Sequence, residues 1–256
     1  MIERMARLEE NLRGVRERMD AAARAAGRDP ASVALLAVSK TWPADDVAAL
    51  AALGLRDFGE NRAQELLDKA AQLTRSADPT GFPIRWHFIG QLQRNKAAAV
   101  ARLGAVVHSV DRASLAGVLD RVGRESGRPV EVLLQVDLGG TAAGAAPRGG
   151  AVPEEIPELA DTVGGAAGLR LRGLMAVAPR GEDPAPAFER LAALAARVRA
   201  DHPETVELSA GMSGDMEAAI AAGATIVRVG TALFGDRPLV SGIEAHQHHE
   251  SQAPRT

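Results

Sequence analysis

The chain contains neither cysteine nor tyrosine and has few aromatic residues of any kind. Without cysteine there is no disulfide bond and no thiolate metal ligand. No apolar run approaches the roughly 18 residues that a membrane-spanning helix requires, and the charged N-terminal segment lacks the apolar core of a signal peptide. A formal net charge of −3 provides no electrostatic basis for binding nucleic acid or an anionic membrane. We therefore expect a cytoplasmic protein with neither kind of partner.

A length of 256 residues with 46% hydrophobic content predicts one domain of the larger single-domain size. We assign residues 1–238 to this domain and expect residues 239–256 to form a disordered tail. The tail contains His246, His248 and His249, a group that could bind a metal loosely. Because no cysteine or folded framework accompanies these histidines, we predict no metal site.

Apolar stretches alternate with amphipathic stretches along the chain, which predicts an α/β fold. The predicted strands are 33–40, 55–60, 84–90, 105–110, 130–138, 170–177, 206–212 and 225–230. The predicted helices are an N-terminal helix at 8–26, then 44–53, 61–75, 93–103, 112–126, 154–166, 185–201 and 215–222. Eight strands with intervening helices favour a single (β/α)8 TIM barrel. An open doubly wound sheet is the alternative, but it would have a glycine-rich first turn, and Lys-Thr-Trp-Pro at 40–43 is not one.

Lys40 ends the unbroken apolar segment 33–40, a pattern typical of a strand buried on both faces. A lysine in this position holds a primary amine at the mouth of the barrel. When such an amine is desolvated its pKa falls, and it can capture an aldehyde as a Schiff base. The alternative is a lysine whose stem covers apolar surface while its amine stays in water.

A second segment, 208–235, favours an anion site. Ser213 is predicted to end the seventh strand at a helix N-cap, and Gly230 with Thr231 repeats this arrangement after the eighth strand. Glycine and hydroxyl residues at strand ends suit an anion because backbone N–H groups converge there. In TIM barrels phosphate is commonly bound after strands seven and eight. We therefore predict one phosphate site at Ser213, Gly230 and Thr231.

Seven motifs together resemble the YggS/PROSC-type pyridoxal phosphate homeostasis proteins, over roughly residues 7–236. They are Val-Ser-Lys (38–40), Phe-Gly-Glu-Asn (58–61), Trp-His-Phe-Ile-Gly-Gln-Leu-Gln-Arg-Asn-Lys (86–96), His-Ser-Val-Asp (108–111), Gly-Leu-Met-Ala-Val-Ala-Pro (173–179), Met-Ser (212–213) and Arg-Val-Gly-Thr (228–231). The resemblance implies the barrel of the alanine racemase N-terminal domain. It also implies that pyridoxal 5'-phosphate (PLP) is held as a Schiff base on Lys40.

Three further residues are candidate cofactor contacts, and the resemblance implies the contact of the first, Asn61. Asn61 would donate to the ring hydroxyl, or act only as a helix N-cap. His87 would lie near the cofactor, or be a hydrogen-bonded core histidine. Met175 is expected to fill the barrel beneath the ring. We expect these residues, Lys40 and the phosphate site to lie together on one rim of the barrel.

Arg228 would donate to the pyridine nitrogen, or pair with a carboxylate inside the barrel. Because an arginine stays protonated, it would leave the ring nitrogen unprotonated, and a neutral ring stabilises carbanions poorly. Alanine racemases also use a tyrosine from a second domain as a second base. This chain has no tyrosine and ends where that domain would begin.

Two functions follow from these residues. The first is a non-catalytic carrier that buffers PLP and supplies it to apo-enzymes through transient contacts. The second is an amino-acid racemase or related enzyme that uses Lys40 as its sole base. We favour the carrier, and we expect a monomer. The fifth loop, 138–150, departs from the family pattern, so no family role is assigned to it.

Overall fold

The computed structural model describes residues 2–75, 83–139 and 149–235. Eight parallel strands in this part of the chain close into a barrel in chain order, with the last strand paired to the first. The strands are β1 (Ala34–Val38), β2 (Asp57–Glu60), β3 (Arg85–Phe88), β4 (Val106–Val110), β5 (Val130–Val136), β6 (Leu169–Ala176), β7 (Glu207–Ser209) and β8 (Ile226–Val229). The predicted barrel is therefore confirmed.

Helices alternate with these strands and cover the outside of the barrel. They are α1 (Ile2–Ala25), α2 (Ala44–Ala52), α3 (Ala63–Arg75), α4 (Arg94–Arg102), α5 (Ala113–Ser126), α6 (Ile156–Gly164), α7 (Pro184–Asp201), α8 (Met216–Ala221) and α9 (Thr231–Phe234). A short 3-10 helix, Pro30–Ser32, leads into β1. In the described part of the chain, no helix has the length and apolar character needed to cross a bilayer.

The predicted elements all occur, but several strands end earlier than predicted. The first strand stops at Val38, not at residue 40, and the seventh stops at Ser209, not at residue 212. The residues that follow leave the sheet and form loops at the rim. The one-turn helix α9 was not predicted, because four residues are too few to show a helical period.

The main apolar core lies between the strands and the surrounding helices. Phe58 and Trp86, on neighbouring strands, belong to it and pack with ring centroids 6.3 Å apart. The interior of the barrel is different, because polar side chains pass through it next to a small apolar cluster of Val106, Leu133 and Met175. This polar interior is set out below.

Helix α1 packs against α2, α8 and α9 with its predicted apolar stripe, Leu8, Leu12, Val15 and Met19, buried. Arg4 fastens it to the barrel through two hydrogen bonds to Asp46, of 3.1 and 2.6 Å, and a third to the Phe234 carbonyl. The same guanidinium lies 4.7 Å from the ring centroid of Trp42, which stacks on Phe234. Helix α1 thus holds both α9 and the segment just after Lys40.

Candidate functional site

Lys40 lies two residues beyond the end of β1, at the carboxyl rim of the barrel, and is half-buried. Strand β2 is on one side, where Val38 pairs with Gly59. Strand β8 is on the other, and a Cβ at Gly230 would lie 3.4 Å from the Val38 carbonyl oxygen. The backbone at Lys40 therefore lies between the ends of β2 and β8.

The backbone on both sides of Lys40 is held by one hydrogen-bonded network centred on the buried Lys69. Lys69, on α3, donates from Nζ to the Ser39 carbonyl at 2.7 Å, to Glu60 at 2.6 Å and to Glu65 at 2.8 Å. Glu65 in turn accepts from the N–H of Thr41, a residue at φ 69°. This left-handed conformation is uncommon outside glycine, so the hydrogen bond to Glu65 helps to hold it.

Glu60 is the carboxylate of this network and is fully buried. Its Oε1 accepts from Lys69 and also from the Ser39 hydroxyl at 2.6 Å, while Oε2 has no partner within the described residues. Burial raises the pKa of Glu60, and the hydrogen bonds from Lys69 and Ser39 act against that rise. Lys69 is therefore the base that pairs with the buried Glu60 carboxylate.

Asn61 follows β2 directly and lies at the same rim. Its backbone is so close to Gly90, after β3, that a Cβ at position 90 would lie 2.1 Å from the Asn61 carbonyl oxygen. Only glycine fits that approach. Asn61 also lines a cavity of about 320 Å³ together with Gln91 and Lys96. The alternative role of Asn61 was that of a helix N-cap, but no hydrogen bond from a backbone N–H to its side chain is found among the described residues.

The predicted phosphate residues lie together, although Ser213 is not placed as expected. It neither ends a strand nor caps a helix, because β7 stops at Ser209 and Asp215 occupies the N-cap position of α8. Ser213 instead lies in the intervening loop, with its Oγ 3.4 Å from the N–H of Ala232. Since Gly230 and Thr231 open α9, this contact brings all three predicted residues to one corner.

Arg228 lies on β8, buried inside the barrel below that corner. Its Nη1 donates to the carbonyl and hydroxyl oxygens of Ser209, at 2.7 and 2.8 Å, and its Nη2 donates to the Ala176 carbonyl at 2.7 Å. Within the described residues its hydrogen bonds go to the oxygen atoms of Ser209 and Ala176, and none goes to a carboxylate. Three of its five N–H donors are used in this part of the chain. Burial lowers the pKa of Arg228 to about 10, which leaves it protonated at neutral pH.

His87 lies deeper than predicted, and its expected position at the rim is wrong. Its Nδ1 is 2.8 Å from Nε2 of His108, and its Nε2 is 2.9 Å from Asp57, the first residue of β2. Both ring nitrogens are thus engaged, as in a hydrogen-bonded core histidine. Met175 matches its expected role of filling the barrel, since it is buried against Val106 and Leu133.

Sequence reasoning missed Lys69, Ser209 and His108. Lys69 follows Glu65 by four residues, a spacing that usually indicates an exposed helical pair. Ser209 and His108 each stand in an apolar strand, and nothing local shows that the two strands place them face to face across the barrel. Only the closed sheet shows this.

Residues 5–238 match the family model of the alanine racemase N-terminal domain. The pyridoxal phosphate homeostasis protein of Pseudomonas aeruginosa is 47% identical over 239 residues, which cover 91% of this chain and 97% of that protein.

Two solved structures share the fold, each with 36% sequence identity. The crystal structure of an unknown protein from Bifidobacterium adolescentis has a TM-score of 0.84, covering 91% of this chain and 96% of its own. PipY of Synechococcus elongatus, solved with PLP bound, has a TM-score of 0.72 and covers 89% of this chain and 100% of its own.

Proposed function

The chain belongs to the alanine racemase N-terminal domain family and, within it, to the pyridoxal phosphate homeostasis proteins, and on that basis we propose that it binds PLP covalently on Lys40. One observation carries the proposal. Lys40, Asn61 and the corner formed by Ser213, Gly230 and Thr231 meet at one rim, above a buried cation. PipY, 36% identical to this chain, was solved with PLP bound.

The donor set fits the chemical groups of PLP. The cofactor supplies an aldehyde that a lysine amine captures reversibly with loss of water, and Lys40 is the amine at the rim. The Ser213 hydroxyl and the first backbone N–H groups of α9 suit the phosphate. Below them, Arg228 keeps two N–H donors beyond its described hydrogen bonds, and one of these suits the ring nitrogen. Asn61 is assigned to the ring hydroxyl.

We propose a carrier as the physiological role, not an enzyme. Arg228 is protonated and would leave the ring nitrogen without a proton, which weakens the ring as an electron sink. The chain has no tyrosine to serve as a second base. Such a site holds its cofactor without driving α-carbon chemistry, which suits a protein that buffers PLP and supplies it to apo-enzymes. A cytoplasmic location and a monomeric state remain predictions.

The covalent assignment is tested by absorbance with and without borohydride. Lysine occurs only at positions 40, 69 and 96, and Lys69 is buried with three hydrogen bonds, so Lys96→Ala is the matched control for Lys40→Ala. We expect wild type and Lys96→Ala to show a band in the near-ultraviolet to visible range that bleaches on reduction and leaves the label on Lys40. A reducible adduct that persists in Lys40→Ala would overturn the assignment.

The carrier role is tested by turnover and by transfer. We expect no sustained racemisation or consumption of amino acids by the loaded protein, and we expect it to restore activity to an added apo-PLP-enzyme. Turnover that is abolished in Lys40→Ala would instead establish the sole-base enzyme.

A further inference from the structure

Five side chains form a continuous hydrogen-bonded chain through the interior of the barrel, here called the interior relay. It runs from Asp57 to His87 (2.9 Å), His108 (2.8 Å), Ser209 (3.0 Å) and Arg228 (2.8 Å). The bond between His108 on β4 and Ser209 on β7 joins strands that are not neighbours, so it crosses the barrel. Asp57 is the first residue of β2, at the amino-terminal face of the barrel. Arg228 lies below the corner formed by Ser213, Gly230 and Thr231.

The chemistry of the two ends gives the relay one direction. The Asp57 carboxylate only accepts, so Nε2 of a neutral His87 carries the proton and its Nδ1 accepts. His108 therefore donates from Nε2, and its Nδ1 accepts from the Ser209 hydroxyl. Arg228 only donates, so the Ser209 oxygen accepts from it. Every link is satisfied with both histidines neutral and protonated on Nε2.

The relay meets the surface at one end only. His87, His108, Ser209 and Arg228 are all buried, whereas the side chain of Asp57 is 31% exposed. Asp57 and His87 also line a cavity of about 150 Å³ at the amino-terminal face. Burial lowers the pKa of His108 well below its usual value, as do its neighbours His87 and Arg228, in keeping with a neutral ring.

Other charged groups surround the two ends. Arg85 on β3 lies 3.9 Å from Asp57 and is paired with Glu131 on β5. Arg172 on β6 lies near Glu131 and pairs with Glu207 on β7. At the other end, Asp215 raises the pKa of Arg228 against the effect of burial. Apart from Arg85, these groups form no described contact with a relay member closer than 4 Å.

We propose that Asp57, His87, His108 and Ser209 are positioning residues for Arg228, and that through them the charge of Asp57 at one face controls the environment of the cofactor ring at the other. This coupling rests on the proposed function. The orientation of the relay does not, because it is a property of the protein without cofactor.

The Asp57 carboxylate fixes the direction in which the hydrogen bonds of the relay are donated, and removing its charge removes this constraint. In a Ser-His-Asp triad, replacing the aspartate by asparagine keeps the geometry but changes the histidine tautomer. In Asp57→Asn, His87 is free to hold its proton on Nδ1, and His108 must then donate from its own Nδ1 to Ser209. The Ser209 oxygen would accept from both His108 and Arg228, which weakens its bond to Arg228.

The first measurement is ¹⁵N NMR of the histidine rings in the cofactor-free protein. We expect Nε2-protonated, neutral rings for both His87 and His108 in wild type. In Asp57→Asn we expect the two residues to shift together toward the Nδ1-protonated form. Glu207→Gln is the matched control, because it removes a carboxylate from the same cavity without touching the relay. An Nδ1 proton on His108 in wild type, or a change at His87 alone in Asp57→Asn, overturns the relay.

The second measurement uses the PLP-loaded proteins. We expect Asp57→Asn to shift the absorbance maximum and to release the cofactor about fivefold faster than wild type, the effect of losing one hydrogen bond worth about 1 kcal/mol. Glu207→Gln is expected to match wild type. Identical spectra and release rates in both variants refute the coupling. A wild type that binds no PLP refutes the proposed function, and the coupling with it, while the NMR result still decides the orientation.

Discussion

Replacing Lys69 by methionine removes the cation from the network that holds the backbone around Lys40. Lys69 is 7% exposed and uses all three of its amine protons, on Ser39, Glu60 and Glu65. The substitution leaves the fully buried Glu60 carboxylate without its cation. Breaking a buried pair from one side costs about 3–5 kcal/mol. We expect Lys69→Met to lower the free energy of unfolding by that amount.

The assay is urea unfolding followed by circular dichroism. Its midpoint should fall while the slope of free energy against urea stays constant, since a lower midpoint alone indicates lost stability. Lys96→Met serves as the control, because Lys96 is not buried and surface substitutions usually stay within about 0.5 kcal/mol. Adding Glu60→Gln to Lys69→Met should restore part of the loss, since the buried charge is then gone.

The loss should also depend on pH, in a direction fixed by Glu60. Burial already raises the folded-state pKa of Glu60, and removing Lys69 takes away one cause that lowers it. A carboxyl group whose pKa is raised in the folded state stabilises the folded protein at low pH. This stabilisation is lost as the pH rises through the folded-state pKa. The deficit of Lys69→Met should therefore be larger near about pH 8 than near about pH 5. A loss below about 1 kcal/mol that is equal at both pH values would refute the reasoning.

Three further predictions concern the site and the interior relay. Gly90→Ala should lower the free energy of unfolding by about 1–3 kcal/mol and weaken PLP binding, because its Cβ would collide with the Asn61 carbonyl; Gly14→Ala, with open space around it, should be stabilising by up to about 1 kcal/mol. Arg228→Lys removes the planar guanidinium that bonds both Ser209 on β7 and Ala176 on β6, so calorimetry should show a free energy of unfolding lower by about 1–3 kcal/mol. Titration should show weaker PLP binding, and unchanged values would contradict the role assigned to Arg228. His108 has a lowered folded-state pKa, so wild type should lose stability as pH falls through the unfolded value near 6.5, and His108→Gln should show a flatter acid limb in pH-dependent urea unfolding.

The sequence alone determined the fold class and the rim position of Lys40, Gly230 and Thr231. The spacing of apolar residues and the turn residues that bound each segment are local properties of the chain. The alternation of apolar and amphipathic segments was therefore enough to predict eight strands and a closed barrel. Lys40, which follows the first strand, and Gly230 with Thr231, which follow the eighth, could be identified as rim residues because the carboxyl ends of parallel strands share one edge.

Tertiary structure decided how the buried polar groups are paired. Lys69 and Glu65 have the spacing of an exposed pair, yet the packing of α3 against the barrel buries the Lys69 amine against Ser39 and Glu60. The same holds for His87, which was expected at the rim but bonds inward to His108 and Asp57. A hydrogen bond between side chains far apart in sequence depends on the exact register of strands, and register has no local signature. The polar path that ends at Arg228 exists only because the sheet closes on itself and brings β4 and β7 to face each other across its interior.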